Sequence, residues 1–117
     1  ESKAPRANAH EDINLLTILP AANGPGLLVK DRDGQWITVP NEPGTVIINT
    51  GDMLQEASGG YFPSTTHQVA AGDGVLNESR MSMPLFLHPK AEVKLSDRYT
   101  AGAYLQERLQ ELGVIKA

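Results

Sequence analysis

Short apolar runs that end at turn-forming residues fill the first half of the chain. The first run, residues 13–19, is rich in leucine and β-branched side chains and stops at Pro20, which is typical of a strand. Similar runs follow at residues 26–30, 36–39 and 45–49. The Asp33-Gly34 pair is a hairpin-turn signal. Strands that alternate with turns about every 8–12 residues are typical of a sandwich or barrel, so we expect a mostly β fold.

The second half keeps this rhythm and then changes to a helical period. Residues 65–70 and 80–87 predict two more strands, whereas residues 52–57 fit either a short strand or a helical turn. Near the C-terminus an apolar stripe at helical spacing is formed by Tyr104, Leu105, Leu109 and Leu112. Either Ser96 or Thr100 can cap this helix, and Gly113 can end it. We therefore divide the chain into a β core, residues 1–95, and a C-terminal helix, residues 96–117.

Composition excludes several classes of protein. Hydrophobic residues make up 40% and charged residues 21% of the 117 positions, which is ordinary for a globular domain. The net charge of −4 and the lack of a Lys/Arg cluster argue against nucleic-acid binding, and no apolar run is long enough to span a membrane. Cysteine is absent, which excludes disulfides, thiolate metal sites and cysteine nucleophiles. This absence says little about the redox compartment, and we expect a cytoplasmic protein as the default. The chain starts without Met and has candidate chemistry by residue 10, so we expect a piece of a longer protein.

The first candidate for chemistry is a metal site. His10 and Asp12 are two residues apart, so on a strand they would project from the same face. His67 lies on a separate predicted strand and could supply a third ligand. Two histidines and one carboxylate form the arrangement of non-haem Fe(II) oxygenases, which leaves positions open for substrate and O₂. Taken alone, the same residues also fit ordinary surface positions.

A second pair fits a carboxylate. Arg80 and Ser82 again share one face of a predicted strand and present a guanidinium and a hydroxyl. Arginine offers a fixed fork of donors to a carboxylate, and serine adds one more. An iron triplet together with such a clamp matches the needs of an α-keto-acid cosubstrate.

With these residues in place, the chain resembles the C-terminal half of the isopenicillin N synthase-like branch of the 2-oxoglutarate/Fe(II)-dependent dioxygenases. The matching stretches are residues 10–17, 26–29, 36–40, 46–54, 58–69 and 80–87. Their order and spacing agree with the family from about residue 8 to the C-terminal helix. The resemblance implies a double-stranded β-helix, or jelly roll, closed by a C-terminal helix and lacking the family's N-terminal region.

The resemblance also implies roles for particular residues. His10, Asp12 and His67 would bind Fe(II), while Arg80 and Ser82 would hold the distal carboxylate of 2-oxoglutarate. Candidates for the substrate pocket are Asn14, which shares the predicted strand face of the metal pair, and Tyr61. Gln68 departs from the family, which usually has Arg after the second histidine. Strand alternation would place Gln68 off the metal face.

The implied activity is that of a dioxygenase that couples decarboxylation of 2-oxoglutarate to hydroxylation, desaturation or cyclisation of a small organic substrate. Its partners would be that substrate and O₂. Two alternatives remain open at this point. One is an iron oxidase of the same branch that works without 2-oxoglutarate, because some relatives use the Arg–Ser pair for a substrate carboxylate. The other is a non-catalytic metal-binding fragment.

Overall fold

The computed structural model of the chain describes residues 4–71 and 79–117. Within these ranges the chain forms seven strands and two helices. The strands are β1 (Ala7–His10), β2 (Leu16–Pro20), β3 (Leu27–Lys30), β4 (Trp36–Thr38), β5 (Val46–Thr50), β6 (His67–Val69) and β7 (Leu85–Leu87), and the helices are α1 (Asp52–Ala57) and α2 (Ala101–Glu111). The expectation of a mostly β fold is confirmed. In the described part of the chain, no helix is long and apolar enough to span a membrane.

The strands form two antiparallel sheets that face each other. One sheet has the order β1-β6-β3-β4 and the other has the order β5-β2-β7. Every strand pair is antiparallel, including the β1–β6 pair in which His10 lies opposite His67. Side chains from both sheets line one cavity between them. Two facing antiparallel sheets are the arrangement of a jelly roll.

The three-stranded sheet has one side toward this cavity and one side toward solvent. Thr17, Leu19, Ile47 and Asn49 line the cavity. Successive strand residues point to opposite faces, so their neighbours form the other side, which we call the outer aliphatic face: Ile18, Val46, Ile48, Leu85 and Leu87. Ile18 pairs with Ile48 on one side and with Leu85 on the other. Ile48 is 64% exposed and Leu85 is 59% exposed, so solvent reaches this face.

The buried apolar core lies at the helical end of the molecule. Met53 of α1 packs with Leu95, Tyr99, Ala101 and Tyr104 around α2, and Ile13, Leu15 and Leu105 pack against them. Residues 52–57 form helix α1, so of the two alternatives for this segment, a short strand or a helical turn, the helical one is observed. Helix α2 begins after Thr100, whose hydroxyl accepts a hydrogen bond from the Ala103 amide. Thr100 is thus the cap.

Two strand predictions were too long. Strand β2 begins at Leu16, because the backbone before it is bound to the start of α1: the Asp52 amide donates to the Asp12 carbonyl (2.8 Å) and the Met53 amide donates to the Asn14 carbonyl (3.1 Å). Asp12 consequently lies in a loop beyond the end of β1, and the assumed strand alternation does not apply to it.

The same holds for the segment before β7. That strand begins at Leu85, so Arg80 and Ser82 lie outside regular structure. The Met81 amide donates to the Asn23 side chain at 2.7 Å instead of a strand neighbour. Pro84 has no amide proton to offer a ladder.

Candidate metal centre

Three side chains that could bind a metal converge at one end of β1 and β6. One ligand atom from each of His10, Asp12 and His67 lies within 4.8 Å of the other two. The Asp12 Oδ1 atom is 3.7 Å from Nε2 of His10 and 3.6 Å from Nε2 of His67. The antiparallel pairing of His10 with His67 brings the two imidazoles together, and their ring centroids are 4.3 Å apart.

Backbone carbonyls fix the protonation of both imidazoles. Nδ1 of His10 lies 2.7 Å from the Asn8 carbonyl, and Nδ1 of His67 lies 2.9 Å from the Thr65 carbonyl. A carbonyl oxygen only accepts hydrogen bonds, so in each ring Nδ1 carries the proton. In a ring with this tautomer, Nε2 is the nitrogen with the lone pair that a metal-binding histidine requires.

Asp12 is buried and its two oxygens have different surroundings. Oδ2 accepts hydrogen bonds from the Thr17 hydroxyl at 2.5 Å and from the Asn49 amide at 3.2 Å. Oδ1 faces the two histidines. Two imidazole nitrogens and one carboxylate oxygen, with no sulfur, are the donor set of non-haem Fe(II) sites, and three ligands leave part of the coordination sphere open. The residues present therefore fit Fe(II).

The three candidate ligands line the cavity between the sheets, which has a volume of about 230 Å³. Most of the remaining wall is apolar. The apolar lining residues are Ala7, Leu19, Leu27, Val29, Ile47, Val69, Pro84 and Phe86. The polar ones besides the three candidate ligands are Thr17, Asn49, Arg80 and Ser82. A largely apolar pocket with a few convergent polar groups is typical of a small-molecule site.

The Arg80 side chain, which lines the cavity, is held in place through its Nε atom. Its Nε donates to the carbonyls of Gly24 and Pro25, both at 3.2 Å. This leaves the terminal guanidinium nitrogens as the part that can engage a ligand. Burial, and then the charge of nearby Arg6, lower the pKa of Arg80, although an arginine stays protonated at neutral pH. Ser82 lines the same cavity even though the segment is not a strand.

Asn14 and Tyr61, the two candidates for the substrate pocket, are not among the residues lining the cavity. Asn14 is 2% exposed and donates its side-chain amide to the Leu16 carbonyl and the Thr17 hydroxyl. Tyr61 is 76% exposed and packs edge-on against Phe62. The side chain of Asn14 is buried because the backbone of its loop is hydrogen-bonded to the start of α1 and does not continue β1.

Strand alternation does hold around the second histidine. His67 and Val69 line the cavity and Gln68 between them does not, as expected from its position in β6. Sequence reasoning missed Thr17 and Asn49, which hold Asp12. A usable signal was present, since each is a polar residue in an otherwise apolar predicted strand.

Comparison with known proteins gives concordant matches. Residues 1–89 match the family model described as the 2OG-Fe(II) oxygenase superfamily. Gibberellin 3-beta-dioxygenase 1 of Oryza sativa subsp. japonica is 34% identical over 96 residues, which cover 81% of this chain and 24% of the relative. The 1-aminocyclopropane-1-carboxylate oxidase of Dictyostelium discoideum is 39% identical over 95 residues, covering 76% of this chain and 25% of the relative.

Solved structures match over nearly the whole chain. A Shewanella oneidensis protein superimposes with a TM-score of 0.89 at 60% identity, covering 98% of this chain and 42% of that one. A Neurospora crassa protein solved in complex with alpha-KG, which is 2-oxoglutarate, gives a TM-score of 0.79 at 26% identity, covering 96% and 39%. The chain thus spans about a quarter of the length of the curated relatives and about two fifths of these solved chains.

Proposed function

Because this chain belongs to the 2OG-Fe(II) oxygenase superfamily, as its motifs predicted, we propose that the protein is an Fe(II)- and 2-oxoglutarate-dependent dioxygenase acting on a small organic substrate. Membership of the isopenicillin N synthase-like branch is part of this proposal. The observation that carries it is the convergence of His10, Asp12 and His67, with both imidazoles held in the metal-binding tautomer.

In this proposal the three side chains hold the metal through Nε2 of His10, Oδ1 of Asp12 and Nε2 of His67. Fe(II), when bound with 2-oxoglutarate, supplies the activation of O₂ that is coupled to decarboxylation, yielding succinate and CO₂ and oxidising a C–H bond of the substrate. The chain's own contribution would be to supply three ligand atoms in the wall of the cavity, so that the remaining positions of the metal could be reached from the cavity.

The cosubstrate would be oriented by Arg80 and Ser82. A guanidinium and a hydroxyl in one wall of the cavity suit the distal carboxylate of 2-oxoglutarate. The two carbonyls that bind Nε of Arg80 set the direction of its terminal nitrogens. The aliphatic wall around them limits water in the site, which strengthens this charged contact.

The test is an anaerobic titration of the complete protein with Fe(II) and then 2-oxoglutarate, followed by visible absorption. We expect a metal-to-ligand charge-transfer band that needs both additions and is lost in His67→Ala. Succinate should then form in air only when 2-oxoglutarate is supplied. Failure of the wild-type protein to bind Fe(II) would contradict the proposal and leave a non-catalytic domain.

A second candidate is an iron oxidase that works without 2-oxoglutarate. The observation in its favour is the 39% identity to a relative named as an oxidase of 1-aminocyclopropane-1-carboxylate. In that case Arg80 and Ser82 would hold a carboxylate of the substrate itself. Fe(II) binding without a 2-oxoglutarate-dependent band, and oxidation without succinate formation, would identify this alternative.

A further inference from the structure

In the described part of the chain, only one oxygen of Asp12, Oδ2, accepts hydrogen bonds from neighbouring side chains, and a short chain of hydrogen bonds leads to it. The Thr17 hydroxyl has one proton and two acceptors within reach, Asp12 Oδ2 at 2.5 Å and the Asn14 side-chain oxygen at 3.4 Å. A carboxylate oxygen can only accept, and it is much the nearer, so the proton goes to Asp12. The Asn14 amide then donates to the Thr17 oxygen at 3.1 Å. The direction of every bond in the chain from Asn14 through Thr17 to Asp12 is thereby fixed.

Asn49 reaches the same carboxylate oxygen from the neighbouring strand. Its side-chain amide donates to Asp12 Oδ2 at 3.2 Å. Thr17 and Asn49 are Cα partners in the β2–β5 pair, so one cross-strand pair supplies both donors. Asp12 and Thr17 are buried, with 9% and 3% of their surface exposed, which makes these charge-assisted bonds stronger than they would be in water.

We infer that Thr17 and Asn49 are positioning residues that hold Oδ2 of Asp12, so that Oδ1 alone faces the metal. This inference rests on the proposed function. A carboxylate that binds through one oxygen occupies one position of the metal, whereas a free carboxylate can bind through two. The Thr17–Asn49 pair therefore keeps an additional position available to ligands from the cavity.

The test measures metal binding directly in the complete protein. Thr17→Val keeps the shape of the side chain but removes the proton, and Asn49→Ala removes the other donor. We expect each change to weaken Co(II) and Mn(II) affinity about 10–100-fold, the usual effect of losing a hydrogen bond to a ligand. We also expect each to alter the visible spectrum of bound Co(II), which reports the number and arrangement of its ligands.

Two further variants separate positioning from simple structural support. Thr17→Ser keeps the hydroxyl and should restore both the affinity and the Co(II) spectrum. Thr45→Val is a matched control, because the Thr45 hydroxyl also donates a hydrogen bond, to the Glu42 carbonyl at 2.6 Å, but makes it in the turn before β5. Thermal unfolding of the metal-free proteins reports any general loss of stability. If the Thr17→Val protein fails to fold, the metal affinity and Co(II) spectrum of Asn49→Ala test the inference instead.

The outcomes are distinct. Wild-type affinity and an unchanged Co(II) spectrum in a folded Thr17→Val or Asn49→Ala protein would overturn the inference while leaving the proposed function intact. Equal weakening in Thr17→Val and Thr17→Ser would also overturn it, because the loss of affinity would then not depend on the hydroxyl, which Ser retains. If the wild-type protein binds neither metal, both the proposed function and this inference fail.

Discussion

The long side chain of Arg80 is restrained by hydrogen bonds to the backbone. The carbonyls of Gly24 and Pro25 bind its Nε, so the long side chain has already lost part of its freedom. A preorganised guanidinium loses less entropy on binding than a mobile one. Arg80 lines a largely apolar cavity, where an unpaired carboxylate would be poorly solvated.

From this arrangement we predict that Arg80→Ala weakens 2-oxoglutarate far more than it weakens Fe(II). Removing one partner of a buried charge pair costs about 2–5 kcal/mol, which corresponds to roughly a 30-fold or greater loss of affinity. Arg80→Lys should recover only part of it, since an ammonium cannot present a planar fork. Isothermal titration with each ligand measures both affinities.

The control for this prediction is Arg32→Ala, which removes an exposed arginine in the turn between β3 and β4 and should leave both affinities unchanged. Equal losses of Fe(II) and 2-oxoglutarate affinity in Arg80→Ala would show that the residue supports the fold and does not bind the cosubstrate.

At this scale the sequence was informative because residue type limits chemistry. Two histidines, a carboxylate and an arginine in family-like spacing predicted the candidate site, and the structure brings these side chains to one cavity. The hydrogen bonds that orient them were harder to foresee. Thr17 and Asn49 depend on the register between two strands, and Asn14 depends on a turn of the backbone. Neither feature can be predicted from the spacing of nearby residues.

At the scale of elements, the loop that carries Asp12 is held by the start of α1. The amides of Gly51, Asp52 and Met53 donate to carbonyls in residues 12–15. The loop and the helix approach so closely that a Cβ at residue 51 would lie 2.1 Å from the Asn14 carbonyl oxygen. Glycine is required here because a side chain would clash with the neighbouring backbone. The backbone angle is not the reason, since a φ of −107° is accessible to any residue.

We predict that Gly51→Ala is strongly destabilising. Overpacking typically costs about 1–3 kcal/mol, and the contact here is with backbone, which cannot rotate away, so we expect the upper end of that range. Metal affinity should fall as well, because the same shift moves Asp12. Urea unfolding and Mn(II) titration measure the two effects.

Gly24→Ala is the matched control, since a Cβ there would meet only the Arg80 Cγ at an ordinary 3.8 Å. It should change stability little. If Gly51→Ala were as stable as the wild-type protein, the close approach of α1 to the Asp12 loop would be wrong.

The bounds of the elements show where periodicity stops being a guide. The apolar run from residue 13 predicted one strand, yet Ile13 and Leu15 pack against the helical core and only Leu16–Pro20 join a sheet. Apolar character is the same in both settings. What decides between them is the partner of the backbone amides and carbonyls, and that partner, the start of α1, lies far along the chain.

For the whole molecule, apolar burial is uneven. The compact core lies around α1 and α2, whereas the outer aliphatic face is left in contact with solvent. Contiguous exposed apolar surface of this kind promotes association. The edge strands of the three-stranded sheet are β5 and β7, whose outer edges have no strand partner in the described part of the chain. Open strand edges also promote association.

We therefore predict that the 117 residues expressed alone self-associate and melt with low cooperativity. Replacing Ile48 and Leu85 together by Thr should reduce the association, because these cross-strand neighbours of Ile18 lie at the centre of the outer aliphatic face. Light scattering against concentration, with thermal melting, measures both properties.

Ile47→Thr serves as the control, because it changes the same strand on its cavity side and should leave the association unchanged. A monodisperse monomer with a sharp, cooperative melt would contradict the prediction and show that these residues suffice as an independent domain.

The two imidazoles are anchored very locally, each by a carbonyl two residues earlier in the chain. Their orientation is encoded within three-residue segments, so it is insulated from changes elsewhere in the protein. The cavity wall, by contrast, is assembled from both sheets and can diverge one position at a time. Such a division would let residues around a substrate change while the three candidate metal ligands keep their orientation. The compounds in the relatives' names, gibberellin and 1-aminocyclopropane-1-carboxylate, differ from one another.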